Sequence, residues 1–452
     1  MRSLGTMGVG QRPGARRRGG AWPGVLVVSG VVAVLLTASW WWSTTAAVTS
    51  AAEAALAAGR LSGLAAGLAV IALVMLAARI GPLDRAIGAE RLYLWHARLG
   101  RYAIGMIVAH AILITAGYAL MGRDGVGAVV ASYLAGRDTR TAILAAALFL
   151  VVGAVSLVAV RRHLPYEVWH AIHLATYAAI LLGLVHQVTQ GAQLADQPVA
   201  SALWVAACVV PVAVLLVNRL VRPLVMNLRH RFRLVAVVPE TPGVHSLVIG
   251  GLDLDRIGAV AGQFVRVHAG LRFASNPYSL SAVPGGAGWR ITVAVVGTHS
   301  RRLASLAPGT RLWLEGPMGG LVLDPRSVAP AVLIAGGTGI APIRALAEAA
   351  LVQRPNAPVV VLCRVRDAAK GLFRAEFAQL TAWANGRFGV YWWAGPRSLP
   401  GNRVDAAALT RLVPWIGSAD VLVCGGPQFG EAVTQAVSHT GAASLRVESF
   451  GW

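Results

Sequence analysis

Long apolar stretches fill the first half of this 452-residue chain and do not recur beyond about Arg222. Six of them approach the length of about 20 residues that a helix needs to cross a bilayer. They predict membrane spans at residues 24–42, 61–78, 97–120, 141–160, 166–186 and 200–220. The second half instead contains short β-rich runs between glycines and prolines, such as residues 264–268 and 359–363. The pattern predicts a membrane half followed by a soluble half.

Composition supports this division and excludes two classes of protein. Hydrophobic residues make up 56% of the chain and charged residues 13%, whereas soluble proteins have about 45–50% and about 25%. The chain is therefore neither disordered nor an ordinary soluble protein. A net charge of +21 is compatible with nucleic-acid binding, but at this apolar content it favours a membrane protein with cytoplasmic arginines. We expect a lipid bilayer as partner and no nucleic acid.

Arginines cluster in alternate loops between the predicted spans. They precede span one, lie between spans two and three and between spans four and five, and follow span six: Arg16, Arg17, Arg18, Arg79, Arg85, Arg91, Arg98, Arg161, Arg162, Arg219, Arg222, Arg229, Arg231 and Arg233. The remaining loops hold fewer arginines. Because positive loops stay on the cytoplasmic side, we expect a multi-pass protein of the cell membrane with both termini and the soluble half in the cytoplasm.

The first predicted span has an alternative interpretation as a cleaved signal sequence, since basic residues precede it and alanine-rich sequence follows it. Its length and the aromatic run Trp40, Trp41 and Trp42 favour a retained anchor. Residues 1–21, rich in glycine and arginine, predict a flexible tail.

Histidines inside predicted spans are candidates for function, because ionisable groups are costly in a membrane. His96 and His110 lie 14 residues apart in span three, which places them within about 40° of one helix face and about 21 Å apart along its axis. Two stacked haems, one near each side of the bilayer, require this arrangement. For one histidine alone, a hydrogen-bonded core residue is the favoured interpretation, but two pairs on two helices favour a functional role.

Span five carries His173 and His186, 13 residues apart and therefore about 140° out of phase on an ideal helix. We predict a tightened or kinked turn near Gly183 that corrects this difference. Spans three and five both run outward, so His96 pairs with His173 at an inner haem, and His110 with His186 at an outer haem. His170 competes for the inner site but fits no better, and we interpret His163 and His170 as interfacial.

Haem is favoured over other redox centres by the ligands available. Two histidines per iron leave no open coordination position, which favours electron transfer over oxygen binding. The three cysteines, Cys208, Cys363 and Cys424, are too few and too scattered for a disulfide framework, a zinc site or a four-thiolate iron–sulfur cluster.

Four segments of the soluble half carry candidate cofactor chemistry. Asn276, Pro277, Tyr278 and Ser279 follow a predicted strand and offer an aromatic ring and hydroxyls to a flavin, and the segment from Gly297 to Ser300 offers N–H groups to a pyrophosphate. Two glycine turns follow predicted strands, as in nucleotide sites. The first contains Gly336, Gly337, Thr338 and Gly339, and the second contains Cys424, Gly425, Gly426 and Pro427.

The order of these motifs, with Gly316-Pro-Met-Gly319 between them, resembles the ferredoxin–NADP reductase module. Behind a six-span domain with paired histidines, it is similar to the ferric reductase and NADPH oxidase superfamily. The resemblance implies a multidomain membrane protein: an α-helical six-span haem-binding bundle (22–222), an antiparallel β-barrel FAD domain (228–328) and an α/β NAD(P)H-binding domain (329–452).

The resemblance also implies roles for individual residues. Tyr278 and Ser279 would contact the isoalloxazine, and Gly297 and Ser300 the FAD pyrophosphate. Gly337, Thr338 and Gly339 would lie under the nucleotide phosphates. Cys424, Gly425, Glu448 and the terminal aromatics Phe450 or Trp452 would adjoin the site of hydride transfer. The family usually has Arg or His where this chain has Asn276, and Arg266 or Arg272 are the candidate replacements.

Nucleotide choice and the final acceptor stay open. Arg364 resembles the family position that meets a 2′-phosphate and favours NADPH, whereas Asp367 favours NADH. The implied activity is electron transfer from cytoplasmic NAD(P)H through FAD and two b-type haems to an external acceptor, with ferric iron or dioxygen ranked first. The alternatives are a haem-free membrane-anchored flavoreductase that reduces quinone or a protein, and a non-enzymatic redox sensor.

Overall fold

The computed structural model describes residues 48–122, 125–191, 197–268, 275–365, 367, 371–395 and 404–449. The expected N-terminal tail, the first predicted span, Arg272, Phe450 and Trp452 lie outside the described residues.

Helices account for most of the described part of the first half, and five of its segments are long and apolar enough to cross a membrane. The helices are α1 (Ala51–Ala77), α2 (Gly81–Ile87), α3 (Ala89–Met121), α4 (Gly125–Ala135), α5 (Arg137–Ser156), α6 (Val158–Arg161), α7 (Tyr166–Gln190), α8 (Pro198–Leu216) and, after a π-helical turn, α9 (Arg222–His230). These five segments correspond to predicted spans two to six.

Helix α1 begins ten residues before the predicted span, because a capping box starts it at Ser50. The Ser50 hydroxyl accepts from the Glu53 N–H, and the Glu53 carboxylate accepts from the Ser50 N–H. The expected loop at 43–60 is therefore helical from Ala51 onward. The expected loop at 121–140 likewise contains α4.

A stripe of glycines on α1 allows close helix packing. A Cβ on Gly59 would lie 2.9 Å from Ile114 of α3, one on Gly63 would lie 2.6 Å from His110 Nδ1, and one on Gly67 would lie 2.7 Å from Trp204 of α8. Distances this short leave no room for any side chain. Small residues four apart let membrane helices approach to backbone contact, and here they bring α1 against α3 and α8.

Two three-stranded antiparallel sheets follow the membrane half and share one core. Their strands are β1 (Arg233–Thr241), β2 (Val244–Gly250), β3 (Phe264–His268), β4 (Ser275–Ser279), β5 (Trp289–Ala294) and β6 (Trp313–Met318), in the orders β1-β2-β5 and β4-β3-β6. Isolated bridges from Leu280 to Ile291 and from Arg233 to Arg311 link the sheets. Helix α9 runs to His230, so β1 starts five residues after the expected domain boundary. A short helix, α10 (Thr298–Ala304), follows β5.

The last part of the chain forms a parallel five-stranded sheet in the order β11-β10-β7-β8-β9, the predicted α/β architecture. Its strands are β7 (Ala331–Gly336), β8 (Val359–Val365), β9 (Phe388–Ala394), β10 (Asp420–Gly425) and β11 (Ser444–Ser449). Its helices are α11 (Ile340–Gln353), α12 (Arg374–Trp383), α13 (Ala406–Leu412) and α14 (Pro427–Ser438). Apolar residues cover both sheet faces, which explains the continuous apolar runs in the sequence.

Ion pairs join the three parts. Arg79, two residues after the end of α1, contacts Glu315 of β6 at 2.7 Å, and His268 contacts the other Glu315 oxygen at 2.8 Å. Burial tends to raise the pKa of the Glu315 carboxyl, but the His268 hydrogen bond and the Arg79 charge outweigh it and hold that pKa at about 2. Arg290 of β5 binds both carboxylate oxygens of Glu376 on α12.

A buried ion pair fixes the start of the parallel sheet and generates a stability prediction. Arg354 donates to Asp420 at 2.7 Å and to the Ala329 carbonyl, and its side chain is 1% exposed. Arg354→Ala leaves the Asp420 carboxylate buried without its cation, which costs about 3 kcal/mol. We expect Arg354→Ala to lower the melting temperature in detergent by several degrees, whereas Arg411→Ala on the exposed surface of α13 leaves it unchanged. Equal melting temperatures for the two variants would contradict the prediction.

Candidate functional site

The four predicted histidines form two facing pairs between α3 and α7. The ring centroids of His96 and His173 are 6.2 Å apart, and those of His110 and His186 are 6.4 Å apart. The ring planes are inclined by 62° and 63°. The predicted pairing of inner with inner and outer with outer histidines is therefore the one that the structure has.

A backbone carbonyl of α1 orients each histidine of α3. His96 Nδ1 lies 3.2 Å from the Leu73 carbonyl oxygen, and His110 Nδ1 lies 2.8 Å from that of Gly59. A carbonyl only accepts, so Nδ1 carries the proton and Nε2 keeps its lone pair. Metal-binding histidines characteristically donate their second N–H to a carbonyl in this way.

The spacing of the pairs fits one metal atom between two imidazoles. A metal–imidazole bond is about 2 Å long, so two rings on opposite sides of one iron have centroids about 6 Å apart. Both observed separations have this value. Nδ1 atoms of His173 and His186 are also buried, without a hydrogen-bond partner among the described residues. The residues present would fit two haem irons, each held by one imidazole from α3 and one from α7.

Helix α7 differs from the prediction in one respect. It runs from Tyr166 to Gln190 as an uninterrupted α-helix, so the expected tightened turn near Gly183 was wrong. Both imidazoles nevertheless reach α3. Because the backbone hydrogen bonding is unbroken, side-chain torsions and the crossing of the two helices take up the difference in phase. His170 lies against Trp169 instead of an α3 histidine, and His163 accepts a hydrogen bond from Arg162.

Tyr278 and His299 form the core of the expected flavin surface. The Tyr278 hydroxyl and His299 Nδ1 are 3.1 Å apart, and the rings stack at 6.1 Å. Burial raises the pKa of Tyr278 and lowers that of His299, so both groups are neutral at neutral pH. Ser279 is buried one residue further along β4.

Two expected flavin contacts have structural partners of their own. Ser300 Oγ accepts from the N–H groups of Val296 and Gly297 at 3.1 and 3.0 Å, so this hydroxyl shapes the turn that starts α10. Arg266 donates to the Ser275 hydroxyl and carbonyl, and it lies opposite Pro277 in the β3–β4 register. Residues directly opposite one another share a sheet face, so Arg266 lies on the face away from Asn276. The geometry argues against Arg266 as the replacement for the family's arginine.

The two glycine turns meet at the carboxyl ends of β7 and β10. Gly337 has φ +59°, and a Cβ on Gly339 would lie 2.1 Å from the Cys424 carbonyl oxygen. Gly336 and Gly425 both pack against the ring of Phe429. Only glycine allows the two turns to come this close. As a result, the start of α11 lies beside Gly426 and Pro427, at the start of α14. This is the strand-end position where doubly wound sheets bind nucleotides.

Cys424 and Glu448 lie opposite one another on β10 and β11 at the same edge. A Cβ on Gly319 would be 3.2 Å from Glu448 Oε1, which brings the Gly316–Gly319 segment of the flavin domain to this carboxyl. Glu448 Oε2 is buried without a hydrogen-bond partner in the described part of the chain. Burial raises the pKa of Glu448 to about 8 and also raises that of Cys424. At neutral pH the site therefore holds a protonated carboxyl and a thiol.

Arg364 lies where β8 and β9 end. Its guanidinium donates to the carbonyls of Val365, Trp393 and Gly395, at 2.9, 2.9 and 2.6 Å. These bonds fix the side chain beside the expected nucleotide site.

A cavity of about 240 Å³ lies where the membrane helices meet the flavin domain. Its wall includes Arg79, Arg222, Gln263, Glu315 and Gly319. Because a Cβ on Gly319 would lie 3.2 Å from Glu448 Oε1, this cavity adjoins the sheet edge that carries Glu448.

Several residues of the site were not expected from the sequence. The repeat of Gly59, Gly63 and Gly67 is visible in it as small residues four apart, and it marks the face that holds His110. The Leu73 carbonyl has no sequence signal, because it is a backbone atom. His299 stood between two expected contacts, and only the fold brings its ring to Tyr278.

Two known families match segments of the chain. "Ferric reductase like transmembrane component" matches residues 62–184, and "Oxidoreductase NAD-binding domain" matches residues 333–435. The first segment contains His96, His110 and His173 and ends two residues before His186, and the second segment contains both glycine turns.

Curated relatives match between a third and a half of the chain. Ferredoxin–NADP reductase B of Sorangium cellulosum is 33% identical over 154 residues, which is 33% of this chain and 63% of that protein. The flavohemoprotein of Oceanobacillus iheyensis is 26% identical over 49% of this chain and 58% of that protein. The flavohemoprotein of Bacillus subtilis is 26% identical over 42% and 51%. The chain thus spans between 51% and 63% of the length of these relatives.

Solved structures align with about half of the chain. The Amycolatopsis cytochrome P450 reductase GcoB aligns with a TM-score of 0.43 and 26% identity, over 49% of this chain and 69% of that one. The FAD/NAD-binding domain of nitric oxide dioxygenase from Vibrio cholerae O1 aligns with a TM-score of 0.41 and 24% identity, over 50% and 100%.

The two family matches and the curated relatives agree with the order of elements along the chain. A membrane domain with paired histidines comes first, and a nucleotide-binding oxidoreductase module follows it. The chain therefore contains a segment that matches a ferric reductase-like transmembrane component, followed by a segment that matches an oxidoreductase NAD-binding domain.

Proposed function

We propose that this chain transfers electrons from cytoplasmic NAD(P)H, through FAD and two b-type haems, to an acceptor on the other side of the cell membrane. The proposal rests on the two imidazole pairs between α3 and α7. In each pair the rings are separated by the distance that one metal atom bound between them requires. The arginine-rich loops favour a cytoplasmic position for the flavin and nucleotide domains.

When bound, the flavin accepts the two electrons of a hydride and releases them singly, and each haem iron carries one electron. The chain's own residues bind and orient. His96 and His173 would hold the inner haem, and His110 and His186 the outer haem. Leu73 and Gly59 fix the α3 imidazoles through their carbonyls. The N–H groups of the Gly337–Gly339 turn would bind the nucleotide phosphates.

Glu448 is placed to manage the proton that electron transfer leaves behind. A hydride delivers two electrons and one proton, and only the electrons cross the membrane. The buried Glu448 carboxyl has a pKa of about 8 and is protonated at neutral pH, so it would first pass its own proton to solvent and then take up the proton that the flavin releases. Cys424 and Gly425, opposite Glu448 and Ser449, would form the other wall of the nicotinamide site.

We propose ferric iron or dioxygen as the external acceptor, on the basis of the family resemblance. A haem-free flavoreductase that serves a protein partner is the second candidate. It is favoured by relatives named ferredoxin–NADP reductase and aromatic O-demethylase reductase subunit, which match 33% and 26% of the chain.

Haem content separates the two candidates. We expect dithionite-reduced minus oxidised spectra of the purified protein to show a b-type signal of about two haems per chain. His110→Ala and His173→Ala should each remove about one haem, because each takes away one axial ligand. The control is His163→Ala, which changes a histidine outside the pairs. A haem-free wild-type protein that still reduces its flavin with NAD(P)H would support the second candidate instead.

The raised pKa of Glu448 predicts a pH dependence of flavin reduction. Below about pH 8 the carboxyl is protonated, and above it the anion forms beside the nicotinamide, so we expect the stopped-flow rate to fall as pH rises through 8. Glu448→Gln cannot ionise. Because Gln stays neutral like the protonated carboxyl, the variant should keep the low-pH rate of wild type and should lack the fall above pH 8. Glu431→Gln, on the exposed side of α14, should keep the wild-type profile; an unchanged profile in Glu448→Gln would exclude this role.

Nucleotide preference tests the proposed role of Arg364. We expect wild type to prefer NADPH, and Arg364→Ala to lower kcat/KM for NADPH about tenfold because a charge-assisted hydrogen bond to phosphate is lost. The kcat/KM for NADH should change by less than about twofold. A parallel fall with both nucleotides would mean that Arg364 serves only to hold the carbonyls at the ends of β8 and β9.

A further inference from the structure

The two histidine pairs differ in what holds the ligand on α7. On α3, both histidines donate a hydrogen bond from Nδ1–H to a backbone carbonyl of α1. On α7, neither His173 nor His186 has a hydrogen-bond partner for Nδ1 among the described residues. Within the described part of the chain, no hydrogen bond to Nδ1 sets the orientation of the α7 imidazoles, so another kind of contact is left to do so there.

His173 has such a contact, in the form of an aromatic stack. The Trp169 ring, one helical turn earlier on α7, lies 5.0 Å from the His173 ring and is inclined to it by only 22°. Arg161, at the end of α6, places its guanidinium carbon 4.4 Å from the centroid of the Trp169 ring. Trp169 also donates Nε1–H to Ser156 Oγ at 3.4 Å. Contacts from α5, α6 and α7 thus converge on the Trp169 ring and hold it against His173.

The outer pair lacks this arrangement in the described part of the chain. The only ring contact that His186 makes there is with His110. The inner pair alone therefore has a flat aromatic surface behind its α7 imidazole and a permanent positive charge behind that surface.

We propose that Trp169 and Arg161 act as positioning residues that fix the His173 imidazole and favour reduction of the inner haem relative to the outer haem. The proposal rests on the proposed haem function. Reduction adds one negative charge to the iron site, and a nearby guanidinium stabilises that charge by Coulomb attraction. The stack fixes the distance over which the charge acts, because cation–π and aromatic contacts both restrain the Trp169 ring. His186 receives neither effect.

The test is a redox titration of the haem absorbance in detergent, with the outer haem as an internal reference. The inner component is the one that disappears in His173→Ala. At a fixed potential, Arg161→Gln should lower the reduced-to-oxidised ratio of the inner haem by about two- to tenfold, after allowance for solvent screening, and leave the outer haem unchanged. Arg162→Gln is the matched control, since its neighbouring guanidinium contacts His163 instead of Trp169.

Electron paramagnetic resonance of the oxidised protein tests the positioning role separately. Trp169→Leu should shift the low-spin signal of the inner haem, because the imidazole loses its flat support, and Trp169→Phe should preserve it. Arg161 is exposed on the short helix α6, so Arg161→Gln provides a readout even if Trp169→Leu does not fold. Equal shifts of both haems, no shift, or the same shift in Arg162→Gln would overturn the proposal. Absence of haem from wild type would instead refute the proposed function.

Discussion

Two imidazoles that face one another at about 6 Å inside a membrane bundle are the constraint on which the rest of the structure depends. Unpaired polar rings at this depth are costly, and a metal atom between them removes that cost. To orient His96 and His110, α1 must come close enough for the Leu73 and Gly59 carbonyls to accept hydrogen bonds from the Nδ1–H groups of these histidines. That approach is possible only because Gly63 has no side chain where the His110 ring lies.

The second half of the chain is attached so that its own reactive edge lies toward this bundle. Arg79, two residues after the end of α1, binds Glu315, and four residues later Gly319 lies close to the Glu448 carboxyl. The pKa of Glu315 is held at about 2, so it is an anion throughout the physiological range, and the ion pair persists. The short segment from β6 through the turn after it therefore connects the ion pair with the membrane half to the sheet edge that carries Glu448.

The sequence was sufficient for the features that follow from chemistry and spacing. The identity and pairing of the four histidines, the parallel sheet and the glycine turns at Gly336–Gly339 and Cys424–Pro427 were predicted. The helix limits were less accurate, because a cap such as that of Ser50 and Glu53 extends α1 beyond its apolar stretch.

The expected turn at Gly183 was wrong, since the phase argument considered one helix without its crossing partner. Arg266 as a phosphate ligand failed because only the β3–β4 register shows which face it occupies. The Trp169 stack depends on a tertiary contact with Arg161 and could not be read from either residue alone.

The measurement that tests the central claim most directly is electron transfer across a sealed bilayer. The protein is reconstituted in liposomes with ferricyanide trapped inside, and NADPH with FAD is added outside, where both are confined. The account predicts that the trapped ferricyanide is reduced by wild type and not by His186→Ala, while His186→Ala still reduces ferricyanide added outside. If wild type reduces only the external ferricyanide and leaves the trapped pool oxidised, the imidazole pairs do not form an electron path through the membrane.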